Sequence, residues 1–148
     1  MDPFDGVRDI NSKLIKSVGK AANRFNEDSL RVLRALRFAS ITGFAIEAST
    51  NTAIFSCIDL LHNISKERIQ AEMNKLLVGK YSKAVLAEYS DVFAEIIPQI
   101  KPSIGFVQKS KYHDCDVYEH TLKVVEDIED ASARTNITLL SSQLSALK

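Results

Sequence analysis

Apolar side chains recur at helical spacing along most of the chain. From Asn26 onward, the run NEDSLRVLRALRFASITG places Leu30, Leu33 and Leu36 three residues apart, on one face of a helix. Asn26 is a suitable N-cap, and Glu27 and Asp28 would then lie in the first turn, where the helix dipole favours acidic residues. Gly43 is a suitable C-terminal stop. The pattern therefore predicts one amphipathic helix from Asn26 to Gly43.

More helices are predicted downstream. Ser65 is a candidate N-cap and Gly79 a candidate stop for one of them. Pro98 and Pro102 mark the segment KPSIGFVQKS as the best linker candidate. The further helices are predicted over residues 49–64, 65–79, 81–89, 91–97 and 117–133, and one more begins in the last dozen residues.

The segment KLIKSV, near the N-terminus, is the one hint of a strand in the sequence. It is short and its apolar residues do not clearly alternate. We therefore predict an all-α fold with a candidate strand remnant near the N-terminus.

Composition and charge exclude several functions. The 148 residues carry 19 Lys and Arg against 19 Asp and Glu, so the formal net charge is zero. This balance argues against a protein that binds nucleic acid through its overall positive charge, but it does not exclude a local basic face. No apolar run approaches the roughly 18 residues of a membrane span, and the N-terminus lacks the apolar core of a signal peptide. The sequence has no glycine-rich phosphate loop, and Cys57 and Cys115 form no CxxC pair. A reduced, cytoplasmic protein without a membrane partner is predicted.

Asp28 and Arg31 stand three residues apart and, on the predicted helix, share a face. One interpretation is an ion pair beside a solvated basic stripe. The other is base recognition, because a carboxylate only accepts hydrogen bonds and a guanidinium only donates them. Such a pair complements cytosine and adenine, whereas uracil and guanine would leave buried polar groups unpaired, at about 1–3 kcal/mol each. Spacing alone leaves both interpretations open.

Two motifs give the chain a family resemblance. Residues 27–39 read EDSLRVLRALRFA and match the pattern E-D-x-x-R-x-x-R-A-x-R-F-A. Residues 65–72 read SKERIQAE and match S-x-E-R-I-x-x-E. In order and spacing, residues 2–133 resemble the region that follows the palm in bacterial-type tRNA nucleotidyltransferases (CCA-adding enzymes) and bacterial poly(A) polymerases.

The resemblance implies roles for individual residues. Asp28 and Arg31 would be the protein template that pairs with the base of CTP or ATP. Arg24 extends the basic stripe as a candidate RNA-binding residue, and Glu67 and Arg68 are expected to hold helices together. The nucleotide-binding residues that the resemblance implies are Asp28, Arg31, Arg34 and Arg37, of which the last two would serve the phosphates or neck packing.

The same resemblance implies a division of the chain into segments. The first would end a catalytic head, and the last would begin a helical body domain of the HD type, named for its metal-binding His-Asp pair. The segments are residues 1–25 (head and hinge), 26–97 (helical neck), 98–110 (linker) and 111–148 (truncated start of the HD-like body).

His113, Asp116 and His120 have metal-ligand chemistry, and the last two lie one turn apart on a predicted helix. An ordinary polar helix start is the alternative. By the resemblance, His120 matches the first histidine of the HD metal set, whereas the His113-Asp114 dipeptide precedes the place of the defining pair by one helix. Because His120 lacks the other ligands of that set, we predict no stable metal site.

Nucleotidyl transfer needs paired carboxylates that hold two metal ions about 3.5–4 Å apart. In the family these come from a G-S/G-x-x-R-D-x-L-L loop and a D-x-D strand, and neither motif occurs in this sequence. We therefore expect no catalytic residue, no cofactor bound by this chain, and no nucleotide addition without an N-terminal catalytic head. CTP or ATP, Mg²⁺ and the tRNA 3′ end are the expected ligands of the intact enzyme.

Two alternatives remain at this point: a fragment of a poly(A) polymerase, and an independent helical module that binds RNA or protein. A neck without its head would also expose apolar surface, which makes self-association an open expectation.

Overall fold

The computed structural model describes residues 6–106 and 117–127, and helices dominate this part of the chain. Two 3₁₀ helices cover Ile58–Asn63 and Pro98–Ser103, and the strands β1 (Leu14–Ile15) and β2 (Ala45–Ile46) pair in parallel. The all-α prediction is confirmed, and β1 lies inside the predicted KLIKSV segment. The α-helices are α1 (Gly6–Asn11), α2 (Ala21–Glu27), α3 (Leu30–Thr42), α4 (Ala48–Ser56), α5 (Lys66–Leu77), α6 (Ser82–Glu88), α7 (Ser90–Ile96) and α8 (Val117–Asp127).

Helix α3 lies at the centre of the hydrophobic core. Its side chains Val32, Leu33 and Leu36 are fully enclosed, and the helix packs against α5 and α6. Ile54 of α4 and Leu76 of α5 are enclosed in the same cluster. Each such aliphatic side chain contributes about 1.5–3 kcal/mol relative to leaving it in water. Within the described residues, no helix is long and apolar enough to cross a membrane.

The prediction of one helix starting at Asn26 is wrong, because the chain breaks between α2 and α3. Asn26 belongs to the end of α2, where its side-chain amide donates to the Ala22 carbonyl at 2.8 Å. Phe25 buries α2 in the core, so this segment forms a helix of its own. Asp28 is extended (φ −151°, ψ 100°), and its Oδ1 accepts the Leu30 N–H at 3.2 Å. Asp favours such local side-chain bonds, which compete with a continuous helix.

The predicted helix over residues 49–64 is also two elements, α4 and the first 3₁₀ helix. In the tighter 3₁₀ winding, side chains three residues apart share a side, so Ile58 and Leu61 both pack in the core. Helices α5, α6 and α7 follow their predicted positions. Ser65 is the N-cap residue of α5, although its side chain makes no capping hydrogen bond.

The start of the predicted linker and part of the predicted body domain pack against the helical core. Residues Pro98–Ser103 form the second 3₁₀ helix, and Ile100 contacts the core. Helix α8 packs on α6 through the buried side chains of Tyr118 and Leu122. The Tyr118 hydroxyl donates to the Leu86 carbonyl at 2.8 Å, and burial raises its pKa to about 12. The division of the chain at residues 98–110 remains a prediction.

The turn between α5 and α6 meets the backbone of α3 at Gly79. The Tyr81 N–H donates to the Ser40 carbonyl at 2.8 Å, and a Cβ at position 79 would lie 2.5 Å from that oxygen. A backbone oxygen cannot rotate away as the end of a side chain can. Gly43 ends α3 in the left-handed conformation (φ 69°), as the sequence predicts.

Replacing Gly79 with Ala should lower the free energy of unfolding by about 1–3 kcal/mol, the usual penalty for overpacking. Urea denaturation followed by circular dichroism measures this loss. Gln70→Ala on α5 is the control, because Gln70 is exposed and its loss should change stability by less than about 0.5 kcal/mol. Equal stability of Gly79→Ala and the wild type would contradict the close approach.

Candidate functional site

A groove of about 330 Å³ opens between the segment after β1 and the exposed side of α2 and α3. Four cationic residues line it, and Phe25 and Phe38 contribute apolar surface. Among the described residues, no acidic side chain lines this groove. We call it the cationic groove; its cationic residues are Lys16, Arg24, Arg31 and Arg34.

Three separate segments position these side chains. Arg24 lies in the last turn of α2, and Arg31 and Arg34 lie on the first two turns of α3, on the side away from its buried leucines. Lys16 follows β1 directly. Lys16 and Arg34 are exposed, and neither has an ion pair within the described part of the chain.

Glu27 holds the other two arginines with one carboxylate oxygen. Its Oε2 lies 2.7 Å from Arg24 Nη1 and 3.2 Å from Arg31 Nη1. All three side chains are substantially exposed, and such surface pairs are worth about 0–1 kcal/mol each. The guanidinium groups therefore keep most of their donors available to a ligand.

Asp28 is paired with a different residue from the one that the sequence suggests. Its carboxylate accepts hydrogen bonds from Arg68 Nη2 at 3.2 and 3.3 Å. The prediction that Asp28 and Arg31 share a helix face is wrong, because Asp28 precedes α3 and is extended. The two residues are nevertheless neighbours, since the Arg31 N–H donates to the Asp28 carbonyl at 3.1 Å. Their role in base recognition stays a prediction.

Arg37 lies outside the cationic groove and faces α5. Its Nη1 is 3.2 Å from Glu72 Oε2, both side chains are largely buried, and its guanidinium lies 4.5 Å from the centre of the Phe38 ring. Arg37 Nε and Glu72 Oε2 are buried without a hydrogen-bond partner among the described residues, so the contact is an ion pair rather than an aligned hydrogen bond. Lys75 Nζ stands 3.6 Å from Glu72 Oε1. This geometry favours neck packing over phosphate binding as the role of Arg37.

Glu47 anchors the N-terminus of α4 beside the groove. Its Oε2 accepts the Ser49 hydroxyl at 2.7 Å, the Thr50 N–H at 2.9 Å and the Thr50 hydroxyl at 3.1 Å. The Ser49 hydroxyl and the Thr50 N–H are the main reasons why the pKa of Glu47 falls from 4.5 to about 2. The Thr50 hydroxyl also accepts the Ser17 N–H at 3.2 Å, which ties the segment after β1 to α4.

His120 is exposed on α8. Within residues 6–106 and 117–127, no group of three or more His, Cys, Asp or Glu side chains could hold a metal ion. His113, Asp114 and Asp116 lie outside the described residues, so the predicted absence of a metal site is untested.

Sequence reasoning missed Lys16 and the partner of Asp28. Lys16 belongs to no motif, and it reaches the groove because β1 pairs with β2, thirty-one residues further along the chain. Arg68 is forty residues from Asp28. The resemblance had implied that Arg68 holds helices together, and its contact with the α2–α3 junction agrees with that expectation.

Comparisons with known proteins connect this geometry to one group of enzymes. A family model described as "Probable RNA and SrmB- binding site of polymerase A" matches residues 43–104. A CCA-adding enzyme of Anoxybacillus flavithermus is 48% identical over 86 residues, which cover 57% of this chain and 22% of that enzyme. One from Ligilactobacillus salivarius is 39% identical over 114 residues, covering 72% of this chain and 28% of that enzyme.

A solved structure extends the likeness to the fold. The crystal structure of the Bacillus stearothermophilus CCA-adding enzyme in complex with CTP matches 99% of this chain and 40% of its own, with a TM-score of 0.65 and 30% identity. The resemblance drawn from the two motifs is thereby confirmed. The chain spans less than half of that enzyme and about a quarter of the two curated relatives.

The Arg37–Glu72 pair should be energetically coupled, because removing one partner leaves the other charge buried. A double-mutant cycle with Arg37→Ala and Glu72→Ala is expected to give a coupling free energy of about 2 kcal/mol in urea denaturation. The exposed Arg24–Glu27 pair is the matched control and should give about 0.5 kcal/mol. Equal couplings for both pairs would contradict the packing role of Arg37.

Stability should depend on the Glu47 carboxylate in a defined pH range. Because the pKa of Glu47 is lowered to about 2 in the fold, its contribution is present above pH 4.5 and is lost as pH falls from about 4.5 toward 2. Glu47→Gln should therefore destabilise the chain at pH 7 by about 1 kcal/mol, the scale of a helix cap. The difference from the wild type should shrink at pH 3, and denaturation curves at both pH values measure it. A difference independent of pH would contradict this assignment.

Proposed function

We propose that this chain forms the nucleotide-selecting neck of a tRNA nucleotidyltransferase. Its similarity to the CCA-adding enzymes in sequence and in fold supports this proposal. Such an enzyme adds CMP and AMP to the 3′ end of tRNA. The observation that carries the proposal is the cationic groove, in which Arg24, Arg31 and Arg34 come together next to the helix junction formed by Asp28.

In this proposal Asp28 and Arg31 read the base. The carboxylate accepts from the exocyclic amino group of cytosine or adenine, and the guanidinium donates to the adjacent ring nitrogen or carbonyl. Both groups must exchange a partner first, since Asp28 is bonded to Arg68 and Arg31 to Glu27. These exposed pairs are worth up to about 1 kcal/mol each, whereas a mispaired uracil or guanine loses about 1–3 kcal/mol for each unpaired group. For cytosine and adenine, the new hydrogen bonds offset the loss of the two ion pairs. For uracil and guanine they do not, so binding of these bases is unfavourable.

The remaining cations of the groove serve the phosphates. Arg34 is exposed and has no ion pair within the described residues, so its donors are available to an anionic group. Arg24 shares Glu27 with Arg31 and adds positive charge at the groove. Phosphate groups suit arginine because the planar guanidinium can donate two parallel hydrogen bonds.

Catalysis requires groups beyond those of this chain in our proposal. The paired carboxylates that hold two metal ions at the transferred phosphate belong to a catalytic head, and CTP or ATP would bind between that head and the groove. The RNA partner is the tRNA 3′ end, and the RNA-binding description of the family model over residues 43–104 supports this assignment.

A poly(A) polymerase is the second candidate, favoured by the name of polymerase A in the family description. The base-reading pair serves cytosine and adenine alike, so it does not separate the two enzymes. The preferred RNA separates the two enzymes. The expected ligand of a CCA-adding neck is a tRNA that lacks its terminal CCA, whereas the expected ligand of a poly(A) polymerase is oligoadenylate.

Base selection can be measured on the chain itself by titrating it with the four nucleoside triphosphates. CTP and ATP should bind at least about 5-fold tighter than UTP and GTP, as one unpaired buried group predicts. Asp28→Ala should bring the four affinities together by removing the acceptor that only cytosine and adenine match. Isothermal titration calorimetry provides the affinities.

The control variant is Asp91→Ala, which removes an exposed acid from α7. It should leave the ratio of CTP to UTP affinity unchanged. Thermal melting checks that Asp28→Ala stays folded, since Asp28 also bonds Leu30 and Arg68. An unchanged ratio in a folded Asp28→Ala variant would contradict the template role.

A further inference from the structure

Thr50 is a buried residue at the N-terminus of α4 whose hydroxyl joins two parts of the molecule. The hydroxyl donates to Glu47 Oε2 at 3.1 Å and accepts the Ser17 N–H at 3.2 Å. The side chain is almost fully enclosed and lines the cationic groove together with Ser17. One hydroxyl thus connects the capping carboxylate of α4 to residues 16–18, the segment after β1 that we call the groove wall.

The groove wall that contains Lys16 has few other attachments. Strands β1 and β2 pair over two residues each, and the Glu47 N–H donates to the Ile15 carbonyl at 3.0 Å. Beyond Ile15, the Ser17–Thr50 hydrogen bond is the next link from the wall to the helices among the described contacts. Lys16 lies between these two attachments, so its place opposite the arginines depends on both.

We infer that Lys16 is a further phosphate-binding residue of the cationic groove and that Thr50 is the positioning residue that holds it there. The inference rests on the proposed function and adds the ligand chemistry: a linear oligophosphate, as in the triphosphate of a nucleotide. Neither residue belongs to the motifs that carry the family resemblance.

The charges and the size of the groove support this ligand class. Two of its four cations, Arg24 and Arg31, share the carboxylate of Glu27, which lies outside the lining of the groove, so the groove keeps an excess of positive charge. Lys16 is exposed and has no ion pair within the described residues. The volume of about 330 Å³ is at the low end of the range for small-molecule pockets, roughly 300–1,000 Å³. It suits a triphosphate better than an extended RNA backbone.

The substitutions at position 50 separate the hydroxyl from the bulk of the side chain. Thr50→Val keeps the shape of threonine but removes the hydroxyl, so the Ser17 N–H loses its acceptor. Thr50→Ser keeps the hydroxyl and removes a methyl group. A residue needed merely for packing would respond at least as strongly to serine as to valine.

The test titrates the chain with inorganic tripolyphosphate and with CTP. Lys16→Ala and Thr50→Val should each weaken binding of both probes by about 3- to 5-fold, the scale of one exposed charge contact, while Thr50→Ser stays within about 2-fold. If Thr50 acts by placing Lys16, the double variant Lys16→Ala/Thr50→Val should bind no more weakly than Lys16→Ala alone. Additive losses, or equal losses for valine and serine, would overturn the inference.

A second measurement reads the position of the groove wall without a ligand. Amide hydrogen exchange of Ser17, followed by nuclear magnetic resonance, should speed up in Thr50→Val and remain slow in Thr50→Ser. Unchanged exchange in Thr50→Val would overturn the positioning role even if binding fell. This readout also holds if Thr50→Val lowers overall stability, because the exchange of Leu36 in the core gives the global opening rate in the same sample.

The outcomes distinguish this inference from the proposed function. A wild type that binds tripolyphosphate and all four nucleotides equally would refute base selection while leaving Lys16 and Thr50 in their roles. A wild type that binds neither probe would overturn the role of Lys16. A short RNA ending in CC is the third probe: if Lys16→Ala weakened RNA binding alone, the triphosphate would be the wrong source of phosphate.

Discussion

Helix α3 has to bury Val32, Leu33 and Leu36 against α5 and α6, and this requirement decides where its polar residues stand. With one side of the helix enclosed, the residues at the other side must face solvent or a ligand. Arg31 and Arg34 therefore line the cationic groove as a consequence of how the leucines pack. The hydrophobic core and the candidate site are two sides of one helix, so a change that rotates α3 would disturb both.

The break between α2 and α3 gives the groove its shape. A continuous helix would carry Asp28 around the axis with its neighbours, whereas the extended conformation at this residue lets its carboxylate reach Arg68 of α5. The break also turns α2, so that Arg24 approaches the start of α3 and shares Glu27 with Arg31. Phe25 and Ala21 are buried in the core and anchor α2 there as a separate helix.

The helical class and most helices could be predicted, because they depend on apolar periodicity that is local in the sequence. The junction at Asp28 could not, since the periodic leucines begin only at Leu30 and do not show whether the polar residues before it continue the same helix. Contacts between residues far apart in the sequence could not be predicted either. The Asp28–Arg68 pair and the position of the groove wall that contains Lys16 both arise from tertiary packing. The motif over residues 27–39 contains Arg31 and Arg34, which line the groove, but its spacing alone did not indicate that Arg37 turns to α5. That direction follows from the buried Glu72, which only the fold places opposite Arg37.

The charged residues of α3 divide into two kinds, and the division follows from their solvent exposure. Arg37 and Glu72 are largely buried, so each charge depends on the other and on the Phe38 ring, and neither is free to bind a ligand without leaving a buried charge behind. Arg31 is partly exposed, with 31% of its side chain accessible, and its pair with Glu27 is weak, so it can change partners at little cost. The base-reading role that we propose for Arg31 needs that freedom, whereas a residue that fixes the orientation of a helix needs the opposite. The same helix supplies both, because its burial varies around the axis while its sequence repeats arginine every third position from Arg31 to Arg37.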